Sequence, residues 1–155
     1  MKKRFIALFL ALVCCALGTF GMNVEVRAED ATGEDVELAY LLTEDALIGY
    51  AELKTRGVYL SEGYSAINNA GAGKIGCGGV TNASLRCQVS VTAIVERKVN
   101  GTWVRVTSWT QTNTNALRAS VSKYLSVTSG YYYRVRSSHY ASTDSSSSWT
   151  AGLWM

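Results

Sequence analysis

Aromatic and arginine residues alternate in two stretches of the chain, and this spacing indicates a binding surface. In a β-strand every second side chain points to the same face, so "TWVRVTSWTQT" and "GYYYRVRSSHY" each present one alternating set to solvent. Exposed aromatic rings stack on sugar rings, and guanidinium groups pair with anions or stack on aromatic rings. The sequence therefore predicts a ligand-binding surface made of Trp103, Arg105, Trp109, Tyr132, Arg134, Arg136 and Tyr140.

A structural interpretation of the same stretches stays open. Aromatic and β-branched residues favour sheets for packing reasons alone, and an acidic segment that precedes the strands is a candidate cover for Trp103 or Trp109. By alternation Tyr131, Tyr133 and Val135 face the core, so we expect half of the tyrosine and arginine cluster to be architectural.

Enzyme signatures are missing from the sequence. It contains no HExxH or GxSxG motif, and "GAGKIG" lacks both the spacing and the Ser or Thr after Lys74 that a phosphate-binding loop needs. His139, the only histidine, is predicted to be a strand residue at a sheet end rather than a base for Cys77 or Cys87. Glycoside hydrolysis needs two opposed carboxylates, and the strand region has few acids: Glu62, Glu96 and Asp144. We expect no catalytic residue, no metal site and no cofactor.

From Arg56 onward the pattern is that of short β-strands separated by Gly and Asn turns. Seven strands are predicted: Val58 to Ile67, Ala72 to Val80, Leu85 to Val99, Thr102 to Thr112, Ala116 to Leu125, Gly130 to Ala141 and Ser148 to Trp154. Their number and spacing predict an all-β, immunoglobulin-like or fibronectin-like β-sandwich. The spacing of Val127, Gly130 and Tyr133 is that of a tyrosine corner, in which the Tyr133 hydroxyl bonds the backbone just upstream.

The best-defined hairpin turns at Asn100 and Gly101, a pair that suits a two-residue type I′ turn. Upstream of it, Leu85, Cys87, Val89, Val91, Ala93 and Val95 alternate with polar residues, which predicts one buried face. The turn fixes a register that the sequence predicts in full: Val95 opposite Val106 on the inner face, and Glu96 opposite Arg105 and Lys98 opposite Trp103 on the outer face.

The N-terminus has the layout of a signal peptide. Lys2, Lys3 and Arg4 precede an apolar run from Phe5 to Phe20, and Val26 and Ala28 suit the positions before a cleavage site. The run is shorter than the ~20 residues that span a bilayer. We expect cleavage after Ala28, a secreted protein and no stable membrane insertion after processing.

The exported part is neutral but strongly polarised. Residues 29–52 contain eight acids and no base, whereas residues 53–155 contain eleven bases and three acids. Three interpretations of the acidic segment stay open: a propeptide, a solvated leader, or a helix that docks on the basic part through Val36, Leu38, Ala39, Leu41 and Leu42. The predicted organisation is a signal peptide (1–28), an acidic leader or linker (29–55) and a β-sandwich domain (56–155).

Cys77 and Cys87 remain after processing, and an even number of cysteines in an exported chain predicts a disulfide. Such a bond closes a loop of eleven residues and contributes about 2 to 3 kcal/mol on the chain-entropy model. Two cysteines and one distant histidine do not supply the four ligands of a zinc site.

The chain resembles a family of small secreted proteins of Gram-positive bacteria that is known only as a domain of unknown function. The resemblance is carried by the signal peptide, the acidic leader, "RGVYLSEGYSAINNAGAGKI", "NGTW", "GYYYRVRSSHY" and "SSSSWTAGLWM". It implies a β-sandwich and an extracellular location, and it carries over no catalytic residue.

The sequence thus predicts a secreted, non-catalytic binding or interaction module, with a cell-wall polymer or another saccharide as the expected extracellular ligand. Nucleic acid is not expected as a partner, because the exported chain is neutral and clustered Lys and Arg runs are absent. Two alternatives stay open: a secreted antagonistic protein similar to a bacteriocin, and a structural surface or matrix component that associates through the edge of "SWTAGLWM".

Overall fold

A computed structural model describes residues 33–35, 37–43, 45–53 and 57–155. Within them lie one short helix and eight strands: β1 (Glu34–Asp35), α1 (Leu38–Leu41), β2 (Leu47–Tyr50), β3 (Leu60–Gly71), β4 (Lys74–Val99), β5 (Thr102–Ser126), β6 (Tyr132–Ala141), β7 (Asp144–Trp149) and β8 (Leu153–Trp154). The predicted all-β class is confirmed. No helix among the described residues is long and apolar enough to span a membrane. The predicted signal peptide, residues 1–28, lies outside the described residues.

The strands form one antiparallel sheet that folds over on itself. Its order is β1-β5-β4-β3-β2, and β6 pairs with β4 and carries β7 and β8 on its other edge. The first half of β4 pairs with β3, and its second half, from Val89, pairs with β6. The register against β5 shifts between Asn82 and Cys87, and β3 packs face to face against β6, where the Ser65 and Ser137 hydroxyls meet at 2.8 Å.

Four of the predicted strands merge into two long ones. The expected breaks near Asn82 and Asn115 are register irregularities within β4 and β5 rather than turns, and Asn115 takes a positive φ of 51° inside β5. Polar and small residues interrupt the hydrophobic pattern there, but each strand stays paired with its neighbour. One consequence is that Leu85, predicted to face inward, is 52% exposed.

The hairpin between β4 and β5 has the predicted turn and most of the predicted register. Asn100 and Gly101 have φ values of 49° and 84°, as a type I′ turn requires, and Glu96 faces Arg105. The predicted pairing of Val95 with Val106 is wrong, because a β-bulge places Val95 opposite Thr107.

Two hydrophobic clusters fill the space between the folded halves of the sheet. The first contains Ile67, Ile75, Cys77, Ala93, Val95, Leu125, Tyr133 and Val135, and the second contains Leu60, Ala83, Val89, Val91, Ala119 and Ala141. The Tyr133 hydroxyl donates a hydrogen bond to the Thr128 carbonyl oxygen at 2.9 Å. The predicted inward orientation of Tyr133 and its bond to the upstream backbone are therefore confirmed.

The described parts of the acidic leader contribute two strands to the sheet and a short helix that packs on it. β1 pairs with β5 and β2 pairs with β3, and α1 places a fully buried Leu41 against Gly76 and Gly78 of β4. An added Cβ at Gly78 would lie 2.9 Å from Leu41, so this close approach depends on glycine. Of the residues predicted to form a docked helix, Leu38–Leu41 form α1 and Leu41 is buried, whereas Ala39 and Leu42 are exposed and Val36 lies outside the described residues.

Cys77 and Cys87 are free thiols, so the predicted disulfide is not formed. Both residues lie on β4, ten positions apart, and ten residues of extended strand span about 33 Å. A register irregularity lies between the two cysteines, but they still have different partners in the sheet. Cys77 faces Ile67 and Lys123, and Cys87 faces Ala116. The prediction of a disulfide rested on the even number of cysteines. It is wrong because both cysteines lie far apart on one extended strand.

Candidate ligand-binding site

An indole and a guanidinium form the centre of the candidate site. Trp103 lies near the start of β5, and the Arg134 guanidinium carbon of β6 stands 4.5 Å from its ring centroid. Lys98, opposite Trp103 in the hairpin, places its ammonium 5.7 Å from the same ring. A tryptophan ring flanked by two cations has the geometry of a cation–π contact, which holds the indole over the outer face of the sheet.

The Glu96 carboxylate fixes the two arginines of β6. Arg134 Nε donates to Glu96 Oε2 at 2.6 Å, and Arg136 Nε donates to Oε1 at 3.3 Å. The Glu96 side chain is only 9% exposed, whereas that of Arg136 is 41% exposed. Because a guanidinium has five N–H donors, the single Nε contact with Glu96 leaves the terminal nitrogens of Arg136 for a ligand.

A second aromatic pair extends the site to the C-terminal strand. Tyr132 of β6 and Trp154 of β8 face each other in the register, with ring centroids 4.9 Å apart at 62°. Both remain about half exposed. Gly152 lies between this pair and Trp103, since an added Cβ would stand 3.3 Å from the indole and 3.4 Å from the Tyr132 ring. We call this continuous region the aromatic–arginine surface: Glu96, Trp103, Tyr132, Arg134, Arg136 and Trp154.

The structure does not bring all of the predicted site residues together. Arg105 is exposed beside the aromatic–arginine surface, where it faces Glu96 across the hairpin and donates to the Ser108 hydroxyl. Tyr140 is exposed on the same face, but eight residues of β6 separate it from Tyr132, about 26 Å of extended strand. It belongs to the far end of the face.

Trp109 lies on the other face of the sheet. The β-bulge beside Val95 adds one residue to β5, and a shift of one residue reverses the face of every side chain beyond it. Trp109 is consequently half-buried and packs against the first hydrophobic cluster. Its ring also lies beside the leader, because an added Cβ at Gly33 would stand 3.0 Å from it. The prediction that Trp109 belongs to the outer surface is therefore wrong. The leader lies beside its ring, in agreement with the alternative interpretation.

Three residues of this region were missed by sequence reasoning. Trp154 follows Leu153 in the last strand, so alternation alone places it outward. Trp149 is 57% exposed and faces Arg136 across β6 and β7. For Glu96, the sequence predicted only the partner Arg105. Its contacts with Arg134 and Arg136 were missed, because the pairing of β4 with β6 cannot be deduced from the local hairpin.

A chain of buried polar groups connects the two halves of the folded sheet. His139 Nδ1 lies 2.9 Å from the Thr81 hydroxyl, and Nε2 lies 2.8 Å from the Ser148 hydroxyl. Ser148 in turn contacts the Ser65 hydroxyl at 2.7 Å. Burial lowers the pKa of His139 to about 4, which keeps its ring neutral. His139 is in a strand, as predicted, but within the core rather than at a sheet end.

Two clefts lie outside the aromatic–arginine surface, and one of them is next to Trp149. One of about 640 Å³ is bordered by Glu52, Asp144 and Trp149, and there the Asp144 carboxylate accepts the backbone N–H groups of Tyr59 and Leu60. The other, of about 620 Å³, lies between β1 and β5 beside Trp109. Asp144 thus connects the start of β3 to the start of β7 by hydrogen bonds, which is a structural role.

Comparison with known proteins gives one match. Residues 30–152 match the family of unknown function DUF6147, which is more than half of the chain. The chain belongs to this family. No curated protein and no solved structure matches it. The DUF6147 region contains β1, α1 and β2 as well as the later strands, and it ends just before Trp154.

Proposed function

We propose that this DUF6147 protein is a secreted, non-catalytic binding module for a saccharide-containing polymer. The observation that carries the proposal is the aromatic–arginine surface, in which Trp103, Tyr132 and Trp154 lie around Arg134 on one exposed face. Flat aromatic rings stack on the apolar faces of sugar rings, and neighbouring guanidinium groups donate hydrogen bonds to hydroxyl or acidic groups.

The burial of the one Ser–His pair supports a binding rather than a catalytic role. His139 and Ser148 have the hydrogen bond expected of a nucleophile and its base, but their side chains are 1% and 0% exposed. A polymeric substrate has no access to them. Among the described residues there is also no cluster of His, Cys, Asp and Glu that could hold a metal ion.

Export and the finer fold assignment belong to the same proposal. The basic residues, apolar run and small residues before Glu29 support secretion with cleavage after Ala28. The tyrosine corner at Tyr133 and the face-to-face packing of β3 on β6 support an immunoglobulin-like sandwich. N-terminal sequencing of the protein from culture medium tests the first of these, with Glu29 as the expected first residue.

Sedimentation with insoluble bacterial cell wall and with an insoluble neutral polysaccharide, at low and high salt, tests the binding role. We expect sedimentation with at least one of them, and a loss of most of it in Trp103→Ala and Tyr132→Ala. Tyr50→Ala is the matched control, because Tyr50, like Tyr132, is an exposed ring in contact with another aromatic ring, but it lies on β2. An absence of sedimentation with both materials would overturn the proposal and favour the antagonistic or structural alternatives.

A further inference from the structure

Charged residues cluster on the outer face beside Trp103, where β4, β5 and β6 are paired. Four bases stand there with one acid: Lys98, Arg105, Arg134 and Arg136 with Glu96. The next positions of the same face are uncharged, since Thr92 bonds the Thr110 hydroxyl at 2.8 Å and Thr112 bonds that of Ser90 at 3.0 Å. A net charge of +3, four bases minus one acid, attracts an anionic ligand to this cluster.

The aromatic rings of this face follow the direction of β6. Tyr132 and Trp154 face each other at its start, and Trp149 faces Arg136 four residues further along, about 13 Å away. Both tryptophans are more than half exposed. A ligand that contacts Trp154 and Trp149 together must therefore be an extended chain rather than a single sugar.

Glu96 occupies the place where an acidic group of such a ligand would bind. Its carboxylate accepts from Arg134 and Arg136 at once, so it neutralises part of the charge that would otherwise hold the ligand. Arg134 is additionally held over Trp103, whereas Arg136 keeps its terminal nitrogens and is more exposed. Arg136 is the residue best placed to pair with an acid group while a neighbouring sugar stacks on Trp149.

We propose that the aromatic–arginine surface, together with the adjoining Trp149, binds an extended anionic glycan whose chain runs along β6 from Trp154 to Trp149. Carboxylate or phosphate groups of the glycan pair with Arg136 and Arg105, and its sugar rings stack on the aromatic side chains. This inference rests on the proposed saccharide-binding function and names its ligand class. The hydroxyl groups of Ser138 and Ser147, which face each other beyond Trp149, continue the surface for the uncharged parts of the glycan.

Tryptophan fluorescence titration of the purified protein tests the inference with defined probes. These are polygalacturonate as the carboxylate polymer, phosphomannan as the phosphate polymer, neutral mannan, galacturonic acid disaccharide and single-stranded oligothymidylate. We expect at least one acidic polymer to bind about tenfold tighter than mannan and the disaccharide, since one stacking or ion-pair contact is of that size. High salt should weaken this binding.

Two substitutions give opposite expected effects on the acidic polymer. Arg136→Ala should weaken binding about tenfold, whereas Glu96→Gln should strengthen it several-fold because it removes the competing charge. Arg86→Ala is the matched control, since Arg86 is exposed on the same strand as Glu96 but bonds the Asn115 carbonyl away from this surface.

The outcomes separate this inference from the proposed function. Equal binding of mannan and the acidic polymers, or of the disaccharide and the long polymer, would overturn the extended anionic ligand and leave saccharide binding in place. Tighter binding of oligothymidylate than of either acidic polymer would make the partner a nucleic acid. Failure to bind any saccharide, together with failure in the sedimentation assay, would overturn both proposals.

Discussion

The Arg134 Nε atom lies 2.6 Å from Glu96 Oε2, and this ion pair joins β6 to β4 on the outer face of the sheet. Breaking a shielded pair leaves a charge without its partner, so Glu96→Gln should lower the free energy of unfolding by about 2 kcal/mol. Asp35 provides the comparison. It bonds Lys123 at the same 2.6 Å but is 89% exposed, and Asp35→Asn should leave the stability unchanged in urea denaturation. Equal effects of the two changes would show that burial does not set the strength of these pairs.

Acid should destabilise the protein through His139. Its folded pKa of about 4 lies below the ordinary value of 6.5, so between these values the unfolded chain binds a proton that the folded protein excludes. The stability contribution is complete above pH 6.5, falls as the pH drops towards 4 and amounts to roughly 3 kcal/mol. Urea denaturation at pH 7 and at pH 4.5 measures the loss.

An NMR titration of the one imidazole in the chain is the direct control, and a midpoint near 6.5 in the folded protein would contradict the neutral buried ring. Titration of Asp144 does not produce the same loss of stability between pH 6.5 and 4. The Leu60 and Tyr59 amides hold its pKa below the usual range, so its contribution is lost at lower pH than that of His139.

The leader should be required for stability. Leu41 is fully buried against β4, whereas its neighbour Leu42 is 37% exposed. Leu41→Ala should lower the free energy of unfolding by about 2 to 4 kcal/mol, because it removes apolar contacts and leaves a cavity, and Leu42→Ala should have a much smaller effect. Thermal and urea unfolding of both variants give the comparison. A stable protein after proteolytic removal of residues 29–52 would contradict an integral leader and favour the propeptide interpretation.

Adjacent tyrosines allow a matched test of the tyrosine corner. Tyr133→Phe removes the hydroxyl that bonds the Thr128 carbonyl and should cost about 1 kcal/mol of unfolding free energy. Tyr132→Phe removes a hydroxyl from a half-exposed ring and should not change it. If the two variants unfold at the same urea concentration, the corner does not stabilise this fold.

The two thiols should react at different rates with an alkylating reagent. Burial raises the pKa of Cys77 to about 12, which removes the reactive thiolate, while Cys87 is partly accessible. Mass spectrometry of peptides labelled before and after unfolding should show Cys87 modified first and Cys77 only in denaturant. A Cys77–Cys87 peptide pair that is released by reduction would contradict the free thiols.

The sequence could predict features set by neighbouring residues. Alternation predicted the inward Val89 and Val95 and the outward Tyr132, and the Asn100–Gly101 pair predicted the hairpin turn. The β-bulge near Val106 could not be predicted, because neither Val106 nor its neighbours have the glycine that often marks such a site. This one inserted residue accounts for the misplaced Trp109. The Glu96 partners on β6 and the continuity of β4, which keeps the cysteines apart, depend on long-range pairing, which local patterns do not contain.

β4 and β5 each run through both halves of the folded sheet, and this continuity has a consequence for unfolding. The half that contains β3 and the half that contains β6 both include β4 and its partner β5, so the loss of either half would leave part of β4 unpaired on one edge. The protein should therefore unfold as one cooperative unit. A substitution that destabilises β4 near the Asn100–Gly101 hairpin should also destabilise the packing of Leu41 at the other end of β4.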